Sequence, residues 1–380
     1  MAKEKKKFWP VAVVLLFIAY FLIAARPINR ENVLKALWLS PLDSGTPVSE
    51  SASGTESESS HNRNTADTPD SIPFSFNDHY GYIDSSGHFL INRIKQGLLS
   101  MSDSKWSEYE AEPSALEIRN KLGDITETID DPRGYPVFLD GQTYIISGDS
   151  NAFTKTGNTG NKLWTYEFST PVICADSAAG MLLTGSLDGV VEVLDADGKQ
   201  IFSFEPGGSR LPIILGCAFS HDGRRFAIVS GIDKQRFLLF ERLAGSGFGN
   251  TNGEFKIIYH EFLGEGFRRP VHVSFIDSDR RVVFEREGGL GVYDINSRRE
   301  YTVALDGELA AIDDSGGEGQ LFVIVSNPLS ETKRLIGINL PGKIFMNAPF
   351  KSPGVFLRRD GSRLFIGGGS TLASFELEKK

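Results

Sequence analysis

Cysteine is nearly absent: two residues in 380 exclude a disulfide scaffold and any Cys-rich zinc module. Basic residues are in the minority, 40 Lys and Arg against 49 Asp and Glu, so a nucleic-acid partner gripped by a basic face is excluded. From about residue 74 onward no long amphipathic helical pattern occurs. The six histidines (His61, His79, His88, His221, His260 and His272) stand at no metal-ligand spacing with one another or with cysteine. What is abundant is glycine, 40 residues, together with 27 Phe among many β-branched residues. That composition suits many short strands joined by tight turns.

The amino terminus reads differently from the rest. Lys3, Lys5, Lys6 and Lys7 form a basic tail (1–7) before an uncharged run, Phe8 to Ala25. A helix of that length, at about 1.5 Å per residue, just spans a hydrocarbon core. The sequence therefore predicts a transmembrane signal anchor contacting the lipid bilayer through Phe8 to Ala25, basic end inside, with the remainder outside the cytoplasm on the periplasmic side. A cleaved signal peptide is the rival reading, against which stand the longer run and Ile23 at the −3 position. Val33, Leu34, Leu37 and Trp38 recur at helical spacing and predict a juxtamembrane helix over 26–39. Residues 40–73 are acidic and rich in Ser and Thr, and predict a disordered linker acting as a tether.

The body is periodic. Six Asp-Gly pairs (140–141, 188–189, 197–198, 222–223, 306–307 and 360–361) punctuate apolar runs, and Asp-Gly suits hairpins whose two central residues take positive φ. Pro136-Val137, Pro171-Val172, Pro212-Ile213 and Pro270-Val271 each open an apolar strand, about 40 residues apart once the insertion Gly245–Gly253 is allowed for. A period near 40 with four strands per unit is the mark of a β-propeller blade. Complete units cover Leu98–Ile129, Tyr135–Phe168, Val172–Phe204, Ile213–Phe262, Val271–Leu305 and Leu309–Phe350. A further unit stops after three strands, Val355–Arg358, Arg363–Ile366 and Thr371–Leu377, while Tyr82–Ile91 matches the latter part of a unit with nothing ahead of it. Joining the two fragments predicts an all-β domain over 74–380. It is a seven-bladed β-propeller of four-stranded antiparallel blades, closed by pairing N- and C-terminal strands, the closing strand being His88–Ile94.

These repeats resemble the quinoprotein (PQQ)-like and WD40-like β-propeller superfamily. Asn158-Thr-Gly-Asn-Lys-Leu-Trp164 and Asp195-Ala-Asp-Gly-Lys-Gln-Ile-Phe202 are similar to the quinoprotein repeat, in which a turn ending in Gly leads into an outer strand holding an aromatic. Phe219-Ser-His-Asp-Gly-Arg-Arg-Phe-Ala227 and Leu357-Arg-Arg-Asp-Gly-Ser-Arg-Leu-Phe365 are similar to the first hairpin of WD40-like blades. Only one unit, Tyr135–Phe168, carries the quinoprotein tryptophan, Trp164. The resemblance implies a fold, and fold alone does not set function.

No catalytic, cofactor-binding or metal-binding residue is assigned. Gly185-Ser-Leu-Asp-Gly189 has its Ser misplaced for a nucleophile elbow and reads as a turn. Gly245-Ser-Gly-Phe-Gly249 lacks the ending of a phosphate loop and reads as an inserted loop. Cys174 and Cys217 open adjacent units, either as a disulfide or as two buried thiols. The pairs Arg268-Arg269, Arg280-Arg281, Arg298-Arg299 and Arg358-Arg359, with Asp313, Asp314 and Glu318, flank turns and read as solvated rim residues. The expected function is a membrane-tethered extracytoplasmic scaffold that binds protein partners without catalysis, in the manner of an envelope assembly component. The alternative is a hydrolase or lactonase-like enzyme with its site at the central funnel.

Overall fold

The computed structural model describes residues 16–17, 20, 32–44, 71–243, 255–264, 266–313, 315, 319–327 and 332–379. Eight antiparallel sheets follow one another along the chain. The expected seven blades are thus corrected to eight. Blades 2 to 7 are the six units read from the repeat, opening with the strands Leu98–Met101, Gly134–Leu139, Val172–Ala178, Ile214–Phe219, Val273–Ile276 and Glu308–Asp313. These opening strands stand beside one another around the central channel. Cores fill the gaps between neighbouring blades, as where Leu183, Val191 and Val193 of blade 4 pack on Phe226, Ile228 and Phe240 of blade 5.

The two fragments at the chain ends do not share a blade. Val355–Asp360, Arg363–Gly368 and Thr371–Lys379 form blade 8 with Asn32–Pro41 as their outer, fourth strand. Closure by mixed ends is observed, but through Asn32–Pro41 and not through His88–Ile94. Ser71–Phe76, His79–Asp84 and Phe89–Ile94 form a separate three-stranded blade 1. Two partial units fused into one made the expected count one short.

The segment expected as a juxtamembrane helix is therefore a strand. A bulge between Ala36 and Trp38 shifts the alternation, so Leu34, Trp38 and Ser40 turn inward while Val33, Leu37 and Leu39 stay exposed. One extra residue in a strand imitates a helical spacing of four. Within the expected linker 40–73, Ser40 and Pro41 end the strand Asn32–Pro41, Leu42–Ser44 is a short 3-10 turn whose Leu42 is buried, and Ser71–Phe76 is a strand; 45–70 lie outside the described residues. The expected transmembrane helix is likewise corrected: of Phe8 to Ala25 only Leu16, Phe17 and Tyr20 are described. No helix among the described residues is long and apolar enough to cross a membrane.

Blade-to-blade docking follows one rule. In blade 4 the carboxylate of Asp195 accepts the N–H groups of Asp197 and Lys199, bending the chain to Gly198. Trp164 of blade 3 lies on that turn, and its indole N–H donates to the Ala196 carbonyl at 2.9 Å. A Cβ on Gly198 would stand 2.6 Å from the indole, so only glycine admits the ring. Blade 1 repeats the arrangement. Asp84 accepts from Ser86 and His88, Trp38 of blade 8 donates to Ser85 at 3.1 Å, and Gly87 at φ +92° leaves room for the ring. A second quinoprotein-type tryptophan is thus present, in a strand the repeat did not reveal.

Turns elsewhere are less uniform than six hairpins. Only Asp140-Gly141 has both residues at positive φ; at 188–189, 197–198, 222–223 and 360–361 the glycine alone does, within other turns. Carboxylates brace neighbouring blades: Asp176 accepts the Phe219 N–H at 2.7 Å, Asp313 that of Arg359 at 3.2 Å and Asp279 that of His221 at 3.0 Å.

Trp38→Ala is expected to cost about 3 kcal/mol, and Gly87→Ala to act in the same direction, whereas exposed Leu39→Ala stays within about 0.5 kcal/mol; chemical unfolding midpoints read this. Burial alone would raise the Asp84 carboxyl, but the His88 and Ser86 N–H groups and the His88 ring outweigh it and hold it below its ordinary value. Its charge therefore stabilises the fold above the ordinary carboxylate value of about 3.9 and ceases to do so as pH falls through the lower folded value. Asp84→Asn keeps the acceptor, as Asn120 shows in blade 2. It should be less stable by about 1 kcal/mol at pH 7, with the gap closing in acid.

Candidate functional site

Among the described residues blade 1 shows three strands where the others show four. Its Asp84–Gly87 turn is equivalent to Asn120–Gly123 and Asp195–Gly198, which join third to fourth strands. Strand direction agrees. Asn77, in the turn after Ser71–Phe76, donates its amide to the Gly369 carbonyl in the turn between second and third strands of blade 8. Ser71–Phe76 is thus a second strand. No described residue occupies the first-strand position beside it.

A cavity of about 550 Å³ opens there into the channel. Its walls are Pro73, Phe74 and Ser75 of blade 1 and Phe356, Leu357 and Arg358 of blade 8. Met101 to Ser104 of blade 2 and Phe138, Asp140 and Gly141 of blade 3 complete it. Arg358 reaches across to Asp103, Nη2 to Oδ2 at 2.7 Å, linking blades that in a regular ring would be separated by a complete one. Both side chains are well exposed, 41% and 67%, so water screens the pair. Beneath the rim Lys105 donates to Glu127 at 2.6 Å and to Thr143 at 3.2 Å, tying blade 2 to blade 3. The Glu127 side chain is only 3% exposed, which makes this a buried pair.

A second hollow, about 560 Å³, lies at the outer rim between blades 5 and 6, lined by Lys256, Ile257, Ile258, Tyr293, Arg298 and their neighbours. Of its charged members, Arg225 and Glu241 are already paired at 2.6 Å. Ser186 of the Gly185–Gly189 stretch is buried, accepts from the Val190 N–H and donates to Asp188, as a turn residue does.

Among the described residues no group of three or more His, Cys, Asp or Glu is placed to hold a metal. Cys174 and Cys217 are both free, partly exposed thiols in adjacent opening strands. Burial, then the neighbouring Cys174 thiol and Asp176, push the Cys217 thiol well above its ordinary value. The arginine pairs are not all solvated rim. Arg281 and Arg359 are buried, Arg281 donates to Asp277 and forms an ion pair with Asp294 at 3.2 Å, and Arg269 bonds Glu285 at 2.6 Å. Asp313 is buried too, while Asp314, Glu318, His61 and the Gly245–Gly249 insertion lie outside the described residues. Sequence reasoning missed the blade 1 cleft; the unmatched front of Tyr82–Ile91 was its one signal.

A family described as beta-propeller protein matches residues 1–380. An uncharacterized protein of Treponema pallidum (strain Nichols) is 27% identical over 311 residues, 82% of this chain and 78% of that protein. Among solved structures, BamB from Moraxella catarrhalis superposes with a TM-score of 0.55 at 12% identity, over 90% of this chain and all of that one. A chain of the mitotic checkpoint complex superposes with a TM-score of 0.52 at 13% identity, over 88% and 99%. At such identities the structural likeness concerns the fold.

Lys105→Met strands the buried Glu127 carboxylate and should cost about 3–5 kcal/mol. Arg358→Met, at the exposed pair, should cost less than about 1 kcal/mol. Equal losses in equilibrium unfolding would contradict this division of the cleft into a rigid base and a soft rim.

Proposed function

The chain belongs to the beta-propeller protein family, and from that membership we propose that it is a non-enzymatic interaction scaffold whose partner docks at the blade 1 cleft. One observation carries the reading: a cavity of about 550 Å³ walled by residues of blades 1, 2, 3 and 8. A concave site on a rigid ring is suited to holding another molecule. The lining supports contact over turnover, since it mixes apolar Phe138, Phe356 and Met101 with serines and Asp140, and Asp103 is already tied to Arg358. A hydrolase would need a poised acid, base or nucleophile there. The fold neighbours are compatible with this reading, one of them being a chain of the mitotic checkpoint complex.

Photo-crosslinking in intact cells tests the reading. A photoreactive residue at exposed Ser104, on the rim, should yield a discrete protein adduct. One at exposed Leu163, on the outer strand of blade 3, should not. Adducts from Leu163 alone, or turnover of a substrate panel abolished by Asp103→Asn, would move the function elsewhere.

A further inference from the structure

We propose that the hollow between blades 5 and 6 binds a small aromatic anion, such as an aryl carboxylate, at the place where two other seams seat a tryptophan. The site is separate from the blade 1 cleft. In blades 3 and 8 the outer strand carries a bulge, at Leu163 and at Leu37. The residue after each bulge is the tryptophan that lies on the next blade's turn. Blade 5 has the same bulge, at Ile258 in the strand Phe255–Phe262, so Tyr259 holds the tryptophan's position. Its ring instead stacks on Tyr293, centroids 4.0 Å apart, and its hydroxyl donates to Glu261. The receiving turn of blade 6 differs as well. Its last residue, at the positive φ that Gly87 and Gly198 take elsewhere, is Arg298 at +53°. A side chain thus stands where the other two turns make room for an indole. What remains is the hollow of about 560 Å³, a volume suited to a small ligand.

The lining selects the occupant. Ile257 and Ile258 are exposed on the blade 5 wall, and Ile295 stands half-buried on the turn opposite. An apolar ring that covers them removes that surface from water. The hollow holds three cations, Arg225, Lys256 and Arg298, against one carboxylate, Glu241. Arg225 is neutralised by Glu241. Lys256 and Arg298 form no ion pair with any described residue, in a chain whose net charge is −9. Tyr293 is only 4% exposed, yet its hydroxyl makes no hydrogen bond with any described residue. Burial holds that hydroxyl above its ordinary value, against the pull of Arg298, so it keeps its proton at neutral pH and can donate. Two unpaired cations and a phenol donor beside apolar walls complement a single anionic group on an aromatic ring. A cationic ligand of the same shape meets repulsion.

Isothermal titration of the full chain with indoleacetic acid tests the site. Tryptamine, the same ring bearing a cation, and acetate, the anion without a ring, are titrated beside it. Saturable binding of indoleacetic acid is expected, with no binding of the other two at matched concentration. Lys256→Gln and Arg298→Gln should each weaken it about tenfold. Tyr293→Phe, which keeps the ring stacked on Tyr259, should weaken it about threefold. Lys343→Gln, at an exposed lysine on the outer strand of blade 7, should leave it unchanged, and unfolding midpoints check that every variant is folded. Equal losses at Lys343 and Arg298, or tryptamine binding as tightly as indoleacetic acid, overturn the site. Absence of binding by every probe overturns it too. Binding that emerges only with Phe248→Ala assigns the hollow to the chain's own insertion and overturns the ligand.

Discussion

Everything in this molecule hangs on a single antiparallel ladder, Asn32–Pro41 against Thr371–Lys379. Each internal blade is held to its neighbours by covalent connection and by a shared core. Within blade 8 the outer strand Asn32–Pro41, from which the chain runs on to blade 1, has no covalent link to its neighbour Thr371–Lys379 except around the whole ring, so pairing and packing must hold that seam. The ladder supplies backbone bonds, Lys35 reaches Glu378 at 3.1 Å, and Leu34 and Trp38 enter the cores on either side. Without it two sheet edges would stand open.

The seam reuses the device found within the ring. Trp38 on Gly87 copies Trp164 on Gly198, down to an indole N–H that donates to the second residue of the turn. The glycines leave space, the Asp side chains stiffen the turns, and the ring orients the strand from which it projects. Closure is then an ordinary blade contact made by residues far apart in sequence.

Much of this was legible from the residues. The unit length, six blade boundaries and the mixing of chain ends all follow from Pro-Val openings, turn signals and alternating apolar runs. The miscount had a local cause: the bulge at Ala36–Trp38 gives a strand the apolar spacing of a helix, which hid both the closing strand and its tryptophan. The cleft was beyond reach for another reason. The approach of Arg358 to Asp103 across 255 residues leaves no mark on the sequence. Buried arginines such as Arg281 were misjudged because their carboxylate partners lie across a turn, not beside them in the chain.

The ladder also imposes an order on biogenesis. Asn32–Pro41 is synthesised about 330 residues before the strand that receives it. At roughly 5–20 residues per second the ribosome needs some 15 to 65 seconds to cover that distance. During that interval the first strand made has no mate, and blades assemble as an open arc. The toroid can therefore be sealed only once Thr371–Lys379 has left the ribosome, so that strand decides whether a nascent arc becomes a ring or a target for proteolysis.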